Sequence, residues 1–314
     1  MQPVVAVDLG GTNLRAAFYP QGIPPAERSL RTPSRAERGP EAVLAAMAEA
    51  IREVSPEPFP PGLCVGVAAP GPLDPNSGVV FSAPNLPGWI NVPLRGWLQD
   101  ALGVPVRIGN DANLAALGEW RYGAGRGVNH LIYLAISTGV GGGVISDGHL
   151  IVGWRGLGVE PGHMPMGEDG PLCGCGKRGH LEALASGTAI ARRAAELLAE
   201  GQPSSLRQQG SSALDARSVS RAAESGDALG KRVLREAGET LGRALAGLVH
   251  IFNPQRIILG GGVARAGKAF WEPVRRTLQA EVMNAAFLEG VDLVPAALGD
   301  DAGLVGALVL ATLP

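Results

Sequence analysis

The most constraining feature of this sequence is a pattern that occurs twice: an apolar strand, a polar residue, a glycine-rich turn and a second apolar strand. The first copy is VVAVDLGGTNLRAAF, with predicted strands at residues 4–7 and 14–19. The second copy is centred on YLAISTGVGGGVI, with predicted strands at residues 130–136 and 144–150. Strand, turn and strand predict a hairpin, whereas a P-loop or a dinucleotide-binding turn continues into a helix. Two hairpins of one design predict two related lobes that face each other.

The rest of the chain alternates apolar strands with amphipathic helices, among them predicted helices at residues 39–54 and 227–252. Such alternation is typical of the α/β class. A length of 314 residues favours two domains of ordinary size. We therefore predict a small α/β domain at residues 1–111, with the C-terminal helix 301–314 packed back on it, and a large α/β domain at residues 112–300.

Charge and composition exclude several classes of protein. The chain has 27 basic and 29 acidic residues, a net charge of −2, which gives no electrostatic footprint for nucleic acid or an anionic membrane. The N-terminal MQPVVAVDLGG lacks the basic and apolar regions of a signal peptide, and no apolar stretch is long enough to span a membrane. Three cysteines do not make a disulfide framework. We expect a cytoplasmic protein.

Glycine-rich turns follow three of the apolar strands. The three turns are residues 10–12, 137–143 and 260–262. Glycine lets rows of backbone N–H groups approach phosphate oxygens, although a glycine at such a place often marks only a tight turn. In the first turn Asp8 is placed to hold Mg²⁺ through water, and Thr12 to donate to a phosphate. The third turn has Arg265 where a dinucleotide fingerprint needs its last glycine, which argues against NAD.

Asn110 and Asp111 stand at a predicted junction between a strand and a helix. Asn and Asp are both favoured as helix caps, so a purely structural role is one interpretation. The other is catalytic: Asp111 accepts a proton from an attacking hydroxyl while Asn110 orients the substrate. The junction alone leaves both open.

The segment 160–182, EPGHMPMGEDGPLCGCGKRGHLE, is here called the metal loop. Its candidate ligands are His163, Cys173, Cys175 and His180. Thiolate and imidazole suit Zn²⁺, which takes four such ligands tetrahedrally, and the alternative is a pair of free thiols with unrelated histidines. Glu160 and Glu182 bracket the loop, either as solvated acids or as acceptors for ligand hydroxyls.

Together these segments resemble the ROK sugar kinases, a family of the actin and hexokinase-like ATPase superfamily. The matching segments are DLGGT at 8–12, ND at 110–111, STGVGGG at 137–143, EPGH at 160–163, CGCGKRGHLE at 173–182 and GGG at 260–262. They occur in the family's order and cover essentially the whole chain. The resemblance implies a two-lobed, ribonuclease H-like α/β ATPase fold with the active site in the cleft between domains. It also implies ATP-dependent phosphorylation of a hexose 6-hydroxyl, with glucose favoured over fructose, mannose or an N-acetylhexosamine.

The resemblance also assigns site residues, with Asp111 as the general base. On the sugar side these are Asn85, Asn110, Asp111, Glu160, His163 and Glu182. On the nucleotide side they are Asp8, Gly10, Gly11, Thr12, Asn13, Thr138, Gly139, Gly261 and Gly262. The implied structural zinc is held by His163, through its second ring nitrogen, with Cys173, Cys175 and His180. His180 is a departure, because the family usually has a third cysteine there, but histidine still completes a Cys₂His₂ set.

The cofactors implied are ATP, Mg²⁺ and Zn²⁺, and the implied assembly is a homodimer or homotetramer that binds neither nucleic acid nor membrane. Two other classes of protein remain to be weighed. A sugar-sensing ROK repressor carries a helix-turn-helix before the first hairpin, and only seven residues precede Asp8 in this sequence. A sugar-binding protein without catalysis has no use for both Asp8 and Asp111. We therefore expect an enzyme.

Overall fold

The computed structural model describes residues 2–209 and 214–313. Met1 and Pro314, at the outer ends of the predicted domains, lie outside it. The strands, in chain order, are β1 (Val4–Leu9), β2 (Asn13–Tyr19), β3 (Arg28–Pro33), β4 (Cys64–Ala69), β5 (Leu73–Asp74), β6 (Val79–Ser82), β7 (Ile90–Val92), β8 (Val106–Asn110), β9 (Leu131–Ile136), β10 (Val140–Ser146), β11 (His149–Leu150), β12 (Arg256–Gly260) and β13 (Asp292–Pro295). The α-helices are α1 (Pro40–Val54), α2 (Leu94–Leu102), α3 (Asp111–Tyr122), α4 (Leu181–Ala185), α5 (Gly187–Ala199), α6 (Ala216–Glu224), α7 (Ala228–Phe252), α8 (Lys268–Glu281) and α9 (Ala302–Thr312).

Two five-stranded sheets of identical topology organise the described part of the chain. Their strand orders are β3-β2-β1-β4-β8 and β11-β10-β9-β12-β13. In each sheet the first three strands pair antiparallel. The third of them is the central strand, and the remaining two strands run parallel to it. The predicted repeat of shape is therefore confirmed, together with the α/β class. A third sheet, β5-β6-β7, lies between β4 and α2 in the chain.

The central strand β1 shows why the first sheet forms. Its apolar run is buried on both faces: Val5 and Val7 lie in one core with α1, whereas Val4 and Ala6 lie in another with α9. A strand buried on both faces needs helices on both sides, which is the α/β arrangement. The approach of α9 depends on Gly66 of β4, because a Cβ there would lie 2.0 Å from the carbonyl oxygen of Ala307.

Helices α3 and α9 lie side by side between the two sheets, and their shared core includes residues of both sheets. Gly306 of α9 lets them approach closely, since a Cβ there would meet the carbonyl oxygen of Leu114 at 1.8 Å. The other face of the second sheet is covered chiefly by α7, against which α8 packs. Across the described residues, no helix has both the length and the apolarity to cross a membrane.

The second hairpin differs from its predicted form. We predicted that residues 141–143 belong to the turn, but they lie in β10, which begins at Val140. Gly141 and Gly143 face α3, where a Cβ would lie 2.8 Å from that of Ala112 and 2.6 Å from that of Ala116, respectively. The glycines therefore serve helix packing. Residues 144–150 reverse at Asp147-Gly148, the turn that this Asp-Gly pair predicts, and the turn separates β10 from β11. That part of the prediction is confirmed.

A buried carboxylate fixes the approach to α9. Glu119 of α3 is fully buried, and it accepts backbone hydrogen bonds from Ala124 (2.7 Å), Ala297 (3.1 Å) and Leu298 (2.7 Å). The N–H groups of two distant loops thus replace water around the carboxylate. Helix α3 and the segment that leads into α9 are joined at this point, and the sequence pattern did not predict it.

Candidate active site

The junction of β8 and α3 places Asn110 and Asp111 between the two sheets. Asn110 caps α3: its Oδ1 accepts from the backbone N–H groups of Ala112 (3.0 Å) and Asn113 (3.1 Å). The capping interpretation is therefore confirmed for this oxygen. The side-chain nitrogen of Asn110 lies against Gly71, where a Cβ would be only 3.0 Å away. Because Oδ1 is already used, the side-chain nitrogen is the group that Asn110 can offer to a ligand.

Asp111 is the first residue of α3 and is largely buried. Desolvation raises its pKa to about 6; a hydrogen bond from the Ala112 N–H, at 2.7 Å, lowers the pKa, and the negative charges of Asp8 and Glu160 raise it. The structure thus brings three acids from distant parts of the chain within electrostatic range of one another. A carboxylate with this pKa is mostly ionised at neutral pH and is a better proton acceptor than an ordinary aspartate.

The first glycine turn joins β1 to β2. The Gly10 N–H donates to the carbonyl oxygen of Asn13 at 2.9 Å, which closes the turn. Ser34, fully buried, holds the turn from outside: its N–H donates to the Thr12 carbonyl at 3.0 Å and its Oγ to the Gly11 carbonyl at 2.9 Å. The Thr12 side chain is exposed. The turn is therefore fixed through its carbonyl groups and presents a free hydroxyl.

Asn85 lies beside this turn, in the connection between β6 and β7. A Cβ on Gly11 would lie 2.8 Å from the Asn85 carbonyl oxygen and 3.0 Å from the Asn85 Cβ. Only glycine permits this approach. The third sheet therefore places the exposed Asn85, which the resemblance assigns to the sugar, against the first glycine turn.

Asp8, next to the end of β1, forms an ion pair with Arg15. The distance from Arg15 Nη2 to Asp8 Oδ2 is 2.6 Å, and Arg15 Nη1 lies 2.9 Å from Asp301 Oδ1. We did not predict a role for Arg15. The hairpin register could have shown it, because Asp8 and Arg15 are directly paired residues of β1 and β2, and opposite charges at such positions interact.

The second glycine turn joins β9 to β10 and is held by the start of α5. The Gly187 N–H donates to the Ser137 carbonyl at 2.7 Å, and Thr188 Oγ1 donates to the Thr138 carbonyl at 2.8 Å. The Thr138 side chain is exposed, as Thr12 is in the first turn. Both turns thus present a threonine whose carbonyl group is fixed by a neighbouring element.

Glu182 connects this second turn to the metal loop. Its Oε2 accepts the Val140 N–H at 3.0 Å, and its Oε1 lies 3.6 Å from the Cys173 Sγ. Gly139 leaves room for the carboxylate, since a Cβ there would lie 2.3 Å from Glu182 Oε2. The resemblance predicts that Glu182 contacts the sugar, but the sequence did not indicate that its side chain also holds the second glycine turn.

The metal loop brings its four candidate ligands together. The ligand atoms of His163, Cys173, Cys175 and His180 all lie within 4.8 Å of one another. The closest pairs are Cys175 Sγ with His180 Nδ1, at 3.2 Å, and Cys173 Sγ with His163 Nδ1, at 3.8 Å. Two sulfurs and two imidazole nitrogens at such distances fit a tetrahedral Zn²⁺ site. Because Nδ1 of His163 faces the cluster, its Nε2 is the nitrogen left for another partner.

Glu160 precedes the short 3-10 helix Pro161–His163. Desolvation raises the pKa of Glu160, the nearby His163 lowers it, and the charge of Glu182 raises it. The two acids that bracket the metal loop therefore lie near each other and near His163. Glu160 also lies within electrostatic range of Asp111.

The third glycine turn follows β12. Gly261 has a φ of +82°, and a Cβ there would lie 2.3 Å from the Ile136 carbonyl oxygen at the end of β9. The turn therefore needs glycine both for its conformation and for its contact with β9. Gly261 and Gly262 line a cavity of about 390 Å³ that also includes Ser137 of the second turn.

Three arginines line the same cavity: Arg217 and Arg221 of α6, and Arg265. We predicted neither α6 nor its two arginines. The pattern that could have shown the helix is a capping box, in which the Asp215 side chain accepts the Ser218 N–H and the Ser218 hydroxyl accepts the Asp215 N–H. Glu224 and Asp300 also line the cavity, so the three guanidinium groups leave the lining with one net positive charge, which favours an anionic ligand.

Comparison with known proteins agrees with this arrangement. The sequence model of the ROK family matches residues 4–313. A glucokinase from Thermotoga maritima is 38% identical over 306 residues, which cover 97% of this chain and 95% of that protein. The crystal structure of a ROK hexokinase from Thermus thermophilus is 38% identical, with a TM-score of 0.82 over 99% of this chain and 98% of that one. A ROK family glucokinase from Streptomyces griseus, in complex with glucose and AMPPNP, is 33% identical, with a TM-score of 0.82 over 98% and 99% of the two chains.

Proposed function

Because the chain belongs to the ROK family, we propose that it is an ATP-dependent hexose kinase that phosphorylates the 6-hydroxyl of glucose. The observation that carries the proposal is the convergence of Asp111, Asp8 and Glu160 in the fold. Burial, and to a smaller extent the charges of Asp8 and Glu160, raise the pKa of Asp111 to about 6. The similar proteins named glucokinase support glucose as the substrate. The fold is that of the actin and hexokinase-like ATPases.

Asp111 is the general base of this proposal. The 6-hydroxyl oxygen attacks the γ-phosphorus, the bond from that phosphorus to the bridging oxygen breaks, and ADP leaves. A sugar hydroxyl is barely acidic, so the carboxylate of Asp111 takes the proton as the new bond forms. Phosphoryl transfer otherwise depends on alignment and on neutralised charge. Closure of the two lobes excludes the water that would compete with the sugar.

The sugar lies, in this proposal, among groups whose free atoms the geometry defines. Asn110 offers its side-chain nitrogen, because its Oδ1 caps α3. His163 offers Nε2, because its Nδ1 faces Cys173. Glu160 and Glu182 accept hydroxyl hydrogens. Asn85 is a further contact at the first glycine turn.

The nucleotide lies along the three glycine turns. Mg²⁺, when bound, offsets phosphate charge, and Asp8 is the residue that would hold it through water. The phosphates contact the first and second turns, and the adenosine side contacts the third, in the cavity with the three arginines. The residues of this proposal are Asp8, Gly10, Gly11, Thr12, Asn13, Thr138, Gly139, Gly261 and Gly262.

We propose a structural zinc in the metal loop, held by His163, Cys173, Cys175 and His180. The ion would fix the loop that carries Glu160, His163 and Glu182. About one zinc per chain is the expected content of purified protein, measured by plasma mass spectrometry. A His180→Ala variant should bind zinc more weakly and melt at a lower temperature. Full thermal stability and normal activity of a zinc-free preparation would remove the metal from the proposal.

The two cysteine ligands bind a metal only as reduced thiols, so we place the protein in the cytoplasm. We further propose the domain division given above, residues 1–111 with the C-terminal helix and residues 112–300, and a homodimer or homotetramer. Light scattering after gel filtration tests the assembly. A monomer at micromolar concentration would contradict the proposed homodimer or homotetramer.

A coupled assay across glucose, fructose, mannose and N-acetylhexosamines tests the function. We expect ATP-dependent turnover with the highest kcat/KM for glucose, and a loss on the acid side near pH 6, where Asp111 becomes protonated. Asp111→Asn should lower kcat by about 10²- to 10⁴-fold while MgATP binding persists. Asp100→Asn, on the exposed face of α2, is the matched control and should behave as wild type. Near-normal turnover of Asp111→Asn, or the absence of turnover with every hexose, would overturn the proposal.

A further inference from the structure

Arg15 lies between the first glycine turn and the start of α9. Its Nη2 donates to Asp8 Oδ2 at 2.6 Å and to the Asp300 carbonyl, and its Nη1 donates to Asp301 Oδ1 at 2.9 Å. Burial lowers the pKa of Arg15, but the hydrogen bond to Asp8 and the charges of Asp8, Asp301 and Asp300 outweigh it, so the pKa is raised. One guanidinium group thus joins β2 to a segment almost 300 residues away.

The ion pair with Asp8 is shielded from solvent, since the side chains of Arg15 and Asp8 are only 23% and 22% exposed. Shielded pairs keep their geometry better than solvated ones. Among the described residues, Arg15 is the sole hydrogen-bond donor to the Asp8 carboxylate. Gly303 of α9 closes the other side, where a Cβ would lie 3.2 Å from Asp8 Oδ1. The orientation of the Asp8 carboxylate therefore depends on Arg15.

Arg15 also belongs to a larger group of charges. Asp300 pairs with Arg265 at 3.2 Å, and both residues line the cavity beside the third glycine turn. With Asp8 and Asp301, the group has three carboxylates and two guanidinium groups and carries one net negative charge. Loss of Arg15 would make that charge two. A triphosphate that approaches the glycine turns would meet the added repulsion.

We propose that Arg15 is a positioning residue for the nucleotide: it fixes the Asp8 carboxylate and offsets the acidic group at the entrance to the phosphate turns. This inference rests on the proposed kinase function. It assigns to Arg15 an effect on MgATP and none on the sugar, because its partners Asp8, Asp300 and Asp301 all lie on the nucleotide side of the site.

The test compares Arg15→Gln, Arg15→Lys and Arg31→Gln with wild type. Steady-state kinetics give KM and kcat with MgATP and with glucose, and calorimetry gives the affinity for MgAMPPNP without sugar. Arg15→Gln should weaken MgAMPPNP and raise the KM for MgATP by about 10- to 100-fold, with the KM for glucose within about twofold. Arg15→Lys keeps the charge, but its single ammonium nitrogen cannot span the acceptors that Nη1 and Nη2 of Arg15 reach separately. Its values should therefore lie between those of Arg15→Gln and wild type.

Arg31 is the matched control. It is the residue of β3 paired with Arg15, it is exposed, and its side chain has no hydrogen bond among the described residues. Arg31→Gln removes the same charge from the next strand and should leave MgAMPPNP affinity unchanged. An Arg15→Gln protein that is folded by circular dichroism and has wild-type affinity for MgAMPPNP would overturn the inference. If Arg15→Gln does not fold, Arg15→Lys with wild-type affinity would do the same.

The calorimetric arm separates this inference from the proposed function. If wild type phosphorylates no hexose, the function fails, while the affinities of wild type and Arg15→Gln for MgAMPPNP still decide the role of Arg15. If wild type is an active kinase and the affinities are equal, the function stands and the role of Arg15 fails. A parallel loss of glucose affinity would also overturn the inference, because it would indicate general disruption of the cleft.

Discussion

The two hairpins have the same topology and opposite chemistry. In the first, the second pair of residues from the turn is Asp8 and Arg15, which form an ion pair. The corresponding pair of the second hairpin is Ala135 and Gly141. Alanine and glycine have no polar side chain that could form such a pair, and Ala112 of α3 fills the space beside Gly141. The same topology thus carries an ion pair beside the first turn. Beside the second turn it carries small residues that let a helix approach.

The same comparison extends to the helices that begin beside the hairpins. Helix α3 begins with Asp111, and Asp301 directly precedes α9. Asp301 has an ion pair with Arg15, whereas Asp111 has no ion pair among the residues that the structure describes. An acid that is desolvated and lacks a cation has a raised pKa, as Asp111 does. The catalytic candidate is therefore the acid that the duplicated arrangement leaves without a partner.

Among variants that distinguish the two hairpins, the largest effect is expected from removal of the charge of the first hairpin. Asp8→Ala should lower kcat/KM for MgATP by about 10²- to 10³-fold, since preorganised charge at the transferring phosphoryl group has that magnitude. It should also lower the pH at which activity is lost on the acid side, because the charge of Asp8 raises the pKa of Asp111. Ser137→Ala, at the second turn, is the comparison. Equal losses of kcat/KM for MgATP in the two variants would contradict the inferred difference between a charged first turn and a neutral second turn.

The two acids at the helix starts should differ in the sign of their effect on stability. The pKa of Asp111 rises from an ordinary 3.8 to about 6 on folding. The folded state therefore holds the proton more tightly, and stability falls as pH rises from about 4 to about 6. Asp111→Asn should raise the free energy of unfolding at pH 7 by up to about 3 kcal/mol, and by nothing below pH 4.

Asp301→Asn is the matched control for this prediction. It breaks a partly solvated pair with Arg15 and should lower the free energy of unfolding at pH 7 by less than about 1 kcal/mol. Urea unfolding at pH 4 and pH 7 measures both variants. A loss of stability in Asp111→Asn at pH 7 would indicate that the carboxylate has a partner that lowers its pKa.

The carboxylate that contacts the second turn is that of Glu182 in the metal loop, and Gly139 leaves room for it. Gly139→Ala should displace Glu182, because the new Cβ would lie 2.3 Å from Oε2, and the Val140 N–H would lose its acceptor. Loss of one such hydrogen bond to a charged group predicts about 10- to 100-fold in kcat/KM. Both the KM for MgATP and the KM for glucose should rise, since Glu182 serves both sides.

Gly96→Ala is the control for Gly139→Ala, because Gly96 lies in α2 and has no atom within 4 Å of an added Cβ. That variant should keep wild-type kinetics. A Gly139→Ala protein in which only the KM for glucose rises would show that Glu182 acts on the sugar alone.

The sequence could predict the frame because its determinants are local. Apolar strands that stop at glycine predicted both hairpins, and the two thiols of Cys173 and Cys175 predicted the metal loop. The departures have non-local causes. Gly141 looks like a turn residue until α3 is known to pack on it, and nothing near Glu119 in the sequence shows that residues 297 and 298 will donate to its carboxylate.

The residues of the candidate site also fall into two groups, those that local sequence predicts and those whose contacts are non-local. Asp8, Asp111 and the acids of the metal loop stand in recognisable segments. By contrast, the ion pair of Arg15 with Asp301 and the hydrogen bond of Glu182 with Val140 are not visible in those segments. These partners are far apart in the chain, so only the register of the sheets and the packing of α9 bring them together. Contacts of this kind need the fold before they can be predicted.

The smallest expected effect concerns how each turn is held. The Thr12 carbonyl accepts from a backbone N–H, that of Ser34, whereas the Thr138 carbonyl accepts from a side chain, that of Thr188. A substitution can therefore loosen the second turn but not the corresponding bond of the first. Thr188→Val keeps the shape and removes the hydroxyl. It should raise the KM for MgATP by about two- to fivefold, in line with the net worth of one neutral hydrogen bond.

Thr188→Ser keeps the donor and should restore a KM within error of wild type. The two variants separate the hydrogen bond from the methyl contacts, because valine keeps the methyl group and loses the hydroxyl, whereas serine keeps the hydroxyl and loses the methyl group. If Thr188→Val and Thr188→Ser both match wild type, the second turn is held by the Gly187 N–H and by Glu182 without help from the Thr188 hydroxyl. The Ser34 hydroxyl, which donates to the Gly11 carbonyl, would then have no functional counterpart at the second turn.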